Sequence, residues 1–150
     1  MPNVPAYVVA QNQLALTAGN TAPNQDISRP MLGTVGCAMC VGVALWKQAN
    51  GTALLAHIQP DDLVKVQSAV GKIKSLFQDA DKAHCVTAGN GPETRAIVDE
   101  LNKAYPALEV HHGRDEIAID PTCGKIRLGN AIIGQHLPLG DMGAHTEDLS

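Results

Sequence analysis

Cys40 and His57, seventeen positions apart (40 to 57), are the side chains best suited to nucleophilic chemistry in this sequence. The thiolate is the form of cysteine that attacks a carbonyl carbon, and a neighbouring imidazole can take the thiol proton and hold that form. Whether the two meet depends on what lies between them. Val41-Gly-Val-Ala-Leu-Trp46 reads as a buried strand, and Ala53-Leu-Leu-Ala-His57-Ile58 as a second one. Between them Asn50-Gly51 is a strong hairpin signal. Residues equidistant from a hairpin turn face each other, so Cys40 and His57 are expected near the same end of one ladder.

Upstream, Gly33-Thr34-Val-Gly36 reads as a glycine-bearing turn. Its glycines permit close backbone approach, and free N–H groups there would stabilise an oxyanion. Thr34 taken alone is a turn residue bonded to nearby backbone.

Cys37-Ala-Met-Cys40 is also a Cys-x-x-Cys, which admits a zinc half-site or a redox pair. A zinc site needs two further ligands, usually a second close pair. Cys85 and Cys123 stand apart, and His111-His112 has no familiar ligand spacing. A thioredoxin-like motif wants a long helix after the second cysteine, where this chain has strand formers. Cys37, Cys85 and Cys123 are therefore read as structural or incidental. By spacing, His84, His111, His112, His136 and His145 have no partner. Asp61-Asp62 marks a helix start, and Gly89-Asn-Gly91 is a weak anion-loop signal.

The elements that must position the pair come from an aliphatic chain: 45% of residues are apolar and 3% aromatic. A net charge of −4 without a basic patch argues against nucleic-acid binding. No run approaches the ~18 apolar residues of a membrane span. No Lys or Arg precedes Arg29, so the start lacks the basic region of a secretory leader. Reduced thiols in a cytosol are expected, with export by a route lacking a cleaved leader left open.

Strands are expected at 7–10 and 14–17, then a polar surface loop from Gly19 to Pro30. Pro60-Asp61-Asp62 opens a helix with the stripe Leu63, Val66, Val70, Ile73 and Phe77. A strand at 83–88 leads to a helix starting at Pro92 that carries Ile97, Val98, Leu101 and Tyr105. A strand at 108–110 and a hairpin around Asp120-Pro-Thr-Cys-Gly124 follow, and the remainder reads as a polar tail at about 135–150. The expected fold is a single α/β domain over 1–150, a layered sandwich of mostly antiparallel or mixed strands with two main helices.

The segment from Thr34 through Cys40 to Leu45, with Ala53-Leu-Leu-Ala-His57, resembles the CheD family of chemoreceptor glutamine deamidases. The family pattern has a threonine six residues before the nucleophilic cysteine, a Val-x-Val run after it, and an Ala-His seventeen residues on. Thr34, Cys40, Val41, Val43, Ala56 and His57 match it. Ala88-Gly89, the helix from Glu93 to Ala104 and Asp120 to Ile126 resemble later family elements, so the likeness spans roughly 31–128. The chain departs at Ala38-Met39, where the family usually has Gly-Ser, in a longer loop before Thr34, and beyond the closing strand.

The resemblance implies a CheD-like cysteine hydrolase fold, shared with toxins of the cytotoxic-necrotizing-factor type. It implies Cys40 as nucleophile, His57 as acid/base partner and Thr34 as its support, without metal or organic cofactor. The implied activity is glutamine-to-glutamate deamidation on a protein substrate, a chemoreceptor or another. The implied setting is bacterial and cytoplasmic, in chemotaxis, without nucleic acid or membrane insertion. Two alternatives stay open: a non-catalytic binding protein of the same fold, and a deamidating effector acting on a host or competitor protein.

Overall fold

A computed structural model describes residues 3–17 and 30–150; the first eleven residues of the loop expected at 19–30 lie outside them. Among the described residues the elements run β1 (Val4–Val8), β2 (Gln13–Leu16), β3 (Met31–Thr34), β4 (Val41–Lys47), β5 (Thr52–Ile58), α1 (Leu63–Leu76) and β6 (Lys82–Thr87). Then follow α2 (Pro92–Ala104), β7 (Glu109–His112), β8 (Glu116–Asp120), β9 (Lys125–Gly129), β10 (Ile133–Leu137), a 3-10 turn (Leu139–Met142) and β11 (His145–Asp148). One sheet has the order β10-β1-β3-β8-β9, the other β11-β2-β5-β4-β6-β7. The fold is the mixed α/β sandwich with two helices that the sequence pattern implies.

Alternation along β4 explains the layering. Val41, Val43 and Leu45 pack with Val66, Val70, Ile73, Ile97 and Leu101 of the helices. Ala44 and Trp46, on the opposite face, pack with Leu32, Ile117 and Ile119 of the other sheet. Successive strand side chains point to opposite faces, and a strand covered on both reads as a continuous apolar run. The six-stranded sheet is therefore the middle layer, with helices on one side and the five-stranded sheet on the other.

Asp62 caps α1, its carboxylate accepting from the Lys65 N–H at 3.0 Å. The buried stripe of α1 is Val66, Ala69, Val70 and Ile73, while Leu63 is 53% exposed. Leu63 lies in the first turn, ahead of the segment that reaches the sheet, so its place in the expected stripe is not kept. Pro92 opens α2, whose Ile97, Val98 and Leu101 are buried as expected.

Two expectations fail. The glycine-bearing turn at Gly33-Thr34 is strand β3, paired with β1 on one side and β8 on the other. Gly33 is needed there because a Cβ would lie 2.8 Å from Ile133 Cδ1 and 2.9 Å from the Ile117 carbonyl. The polar tail expected at 135–150 is not a tail. β10 pairs in parallel with β1, β11 pairs antiparallel with β2, and Leu149 is buried. Both strands lie at sheet edges, where few apolar side chains are required, so hydrophobic periodicity does not announce them. Among the described residues no helix is long and apolar enough to cross a membrane.

Candidate active site

The β4–β5 hairpin folds about Asn50-Gly51, with Gly51 at φ +62° and Lys47 opposite Thr52. In this register Gly42 faces His57 directly. The His57 carbonyl accepts the Asn12 N–H at 2.7 Å, so its backbone groups turn toward β2. Gly42 and His57 thus form a non-hydrogen-bonded pair, the kind in which opposed side chains come closest. Cys40 sits just ahead of β4, two residues before Gly42. The face of Gly42 and His57 looks into the space between the sheets, toward Thr34 and Ile117.

Gly42 opens that space. A Cβ at Gly42 would lie 2.9 Å from Cys37 Sγ, 3.0 Å from Ile117 Cγ2 and 3.1 Å from Thr34 Cγ2. Without it, Thr34 of the facing sheet reaches His57: its Oγ1 lies 2.7 Å from Nδ1. The same hydroxyl donates to the Val9 carbonyl at 2.7 Å. All three residues are buried.

These two contacts fix the imidazole tautomer. A threonine hydroxyl has one proton, and a carbonyl only accepts. The Thr34 proton is committed to Val9, so Thr34 Oγ1 must accept from His57, which places a proton on Nδ1. Neutral His57 therefore carries its lone pair on Nε2. That atom is buried and has no partner among the described residues. A buried polar atom without a partner costs about 1–3 kcal/mol, and such atoms concentrate where chemistry is done.

Burial pushes the Cys40 thiol above its usual range and pulls His57 below its own. Burial thus disfavours the charged form of each group, the opposite of the thiolate that an adjoining imidazole would hold. No hydrogen bond joins Cys40 Sγ to His57 Nε2.

The loop carrying Cys40 is tied down on one side. The Cys37 carbonyl accepts from Ala88 N at 2.8 Å, and the Cys40 carbonyl from Thr87 Oγ1 at 2.9 Å. The Met39 carbonyl accepts from Thr94 Oγ1 at 2.7 Å. Gln11, Gly36, Ala38, Met39, Cys40, Gln59 and Pro60 line an open depression of about 510 Å³. Met39 stands 63% exposed at its rim.

Thr34 and His57 are therefore in direct contact, and Cys40 adjoins the start of β4, whose Gly42 faces His57. Spacing alone did not reveal Val9, Thr87 or Thr94. Val9 lies just past β1, far upstream, and the two threonines have no local pattern that marks them.

All four cysteines are free. Cys37 and Cys85 are buried and pushed up to about 12, chiefly by desolvation. Cys123 is exposed. Among the described residues no group of three or more His, Cys, Asp and Glu side chains is placed to hold a metal ion.

Three of the histidines expected to stand alone do not. His84 Nδ1 lies 3.0 Å from His111 Nε2, joined by the parallel pairing of β6 with β7, and His145 Nε2 lies 2.8 Å from Glu147. Spacing misses the first pair because a whole helix separates its members. Set beside known proteins, the chain matches no protein-family model and no curated sequence.

Proposed function

We propose that this protein is a cysteine-dependent amidohydrolase that converts a glutamine side chain of a protein to glutamate, releasing ammonia. The observation that carries this reading is the His57 ring. Its Nδ1 proton is spoken for by Thr34, and its Nε2 lone pair is left bare at the end of the hairpin that Cys40 adjoins. That is the arrangement of a base and its orienting group beside a nucleophile.

His57 Nε2 takes the thiol proton as Cys40 Sγ bonds to the amide carbon. Burial disfavours the separate ions, which favours a transfer concerted with attack. The thiol must first turn onto Nε2, a contact that free enzymes often tighten only with substrate bound. Nε2 then gives its proton to the departing nitrogen, the C–N bond breaks, and a thioester remains. Water adds with its proton passing to Nε2, the C–S bond breaks, and the thiol is restored. The chemistry draws on no metal or cofactor.

The glutamine substrate rests on the resemblance to CheD. Four free thiols suit a reducing compartment such as the cytosol, where a chemotaxis role would fit. The test is to incubate parent and Cys40→Ala protein with bacterial lysate and map peptides. The parent should produce a gain of about one dalton at a glutamine together with ammonia, as exchange of –NH₂ for –OH requires. Equal product with Cys40→Ala would overturn the proposal and favour a binding protein.

A further inference from the structure

We propose that Thr94 is a positioning residue for an oxyanion hole formed by the N–H groups of Met39 and Cys40, a role that rests on the reading of Cys40 as nucleophile. In a trans peptide the carbonyl and the following N–H point in opposite directions, and no described bond is cis. The Met39 carbonyl is drawn toward the first turn of α2 by Thr94 Oγ1 at 2.7 Å. The N–H of Cys40 must therefore point the other way.

The preceding peptide obeys the same rule. The Ala38 carbonyl packs against Gly89, where a Cβ would lie only 2.7 Å from its oxygen. The N–H of Met39 is consequently also turned from the β6–α2 connection. Thr87 holds the Cys40 carbonyl on that same side, and the Gly89 N–H in turn donates to Thr87 Oγ1 at 3.0 Å. Among the described residues neither the Met39 nor the Cys40 N–H has an acceptor, whereas Ala38 N donates to the Gly36 carbonyl at 2.8 Å.

Two adjacent N–H groups are thus aimed away from the clamp, on the side where Gln11, Gln59 and Pro60 line the depression. A carbonyl attacked by Cys40 develops negative charge within reach of that side, and fixed donors aimed there act without reorganisation. Thr94 and Thr87 are buried, at 3% and 1% exposure, so the clamp does not compete with water.

The probe is p-nitrophenyl acetate, whose acyl transfer to a thiol passes through an oxyanion, set against iodoacetamide, whose displacement reaction does not. The parent should give a burst of p-nitrophenolate that Cys40→Ala removes. Thr94→Val should slow Cys40 acylation at least about tenfold, since losing an oxyanion donor outright costs about 100-fold or more. Cys40 alkylation should hold within about twofold, because no oxyanion forms in it. Thr94→Ser, which keeps the hydroxyl, should restore acylation. Gly89→Ala is the second variant should Thr94→Val fold poorly. Its methyl displaces the Ala38 carbonyl, and it should show the same split. Acylation unchanged in these variants, or acylation and alkylation falling together, overturns the inference and leaves the nucleophile in place. A parent without a burst at Cys40 overturns both.

Discussion

Replacing Thr34 with valine keeps the side-chain volume and removes one hydroxyl that makes two hydrogen bonds of 2.7 Å each. The Val9 carbonyl and the His57 Nδ1–H both lose a partner in a dry interior. At about 1–3 kcal/mol for each buried group left unpaired, the ceiling is about 2–6 kcal/mol. Moving the proton from Nδ1 to Nε2 recovers nothing, because Nε2 is buried and unpartnered as well. The loss of stability, read from urea unfolding, should therefore approach that ceiling. With no acceptor at Nδ1 the tautomer is no longer fixed, and every ring protonated on Nε2 lacks the lone pair that accepts from Cys40. Turnover should fall by up to about 100-fold, the scale of a general base's contribution. Nitrogen NMR of the ring separates the two tautomers directly. The parent should show the proton on Nδ1, Thr34→Val should show a population with it on Nε2, and Thr34→Ser should revert to the parent in all three measurements. A parent ring protonated on Nε2, or a Thr34→Val protein with full activity, would refute the reasoning.

The pH response of stability has a definite sign. Burial holds His57 below the 6.5 of a free imidazole, so its stabilising contribution is complete above 6.5 and is lost as pH falls from there toward the folded value. His84 is shifted the same way; the difference between parent and His57→Asn urea midpoints, followed from pH 7.5 to about 5, isolates His57. Turnover should share the acid limb, since a protonated Nε2 cannot act as base; activity that rises on acidification would contradict it. With iodoacetamide, exposed Cys123 should be labelled first, and Cys37 and Cys85 last, as mass spectrometry of native protein would reveal. Selectivity for Cys40, which a resting thiolate would give, should appear only after Cys123→Ser. Gly42→Ala should destabilise by about 1–3 kcal/mol through overpacking. Cys37→Ala should recover part of that loss, because Cys37 Sγ is the nearest atom to the new methyl at 2.9 Å. Strict additivity of the two changes in a double-mutant cycle would show that they do not meet.

The hairpin register was legible in the sequence because two unbroken apolar runs flank an Asn-Gly turn, and a two-fold period leaves little freedom once the turn is fixed. That much puts Cys40 and His57 near the same end of one ladder. Thr34 was legible as a partner only through the resemblance, since its strand was read as a turn from two glycines. One of them, Gly33, serves a close approach between strands, a demand that local pattern does not express. Leu63 fits the α1 stripe by spacing, but the contact surface begins one turn later. The groups that aim the site, the Val9 carbonyl and the hydroxyls of Thr87 and Thr94, act across tertiary contacts and have no periodic signature. β10 and β11 were missed for a related reason, since edge strands with mostly exposed side chains carry too few apolar residues to stand out.

The pairing of β1 with β10 on one side and β3 on the other makes the tautomer of His57 a property of distant chain segments. Val9 follows directly on β1, and its carbonyl is what obliges Thr34 to accept the imidazole proton. During synthesis Thr34, Cys40 and His57 all leave the ribosome well before residues 133–137 exist to seat β1. The β4–β5 hairpin is a local contact, whereas the parallel pairings of β1 with β3 and β10 are non-local. Until β1 is seated beside β3, the Val9 carbonyl is not in place and nothing dictates which nitrogen of the His57 ring is bare. The ring's polarity is thus set by the closing of the second sheet and not by the hairpin that carries the histidine.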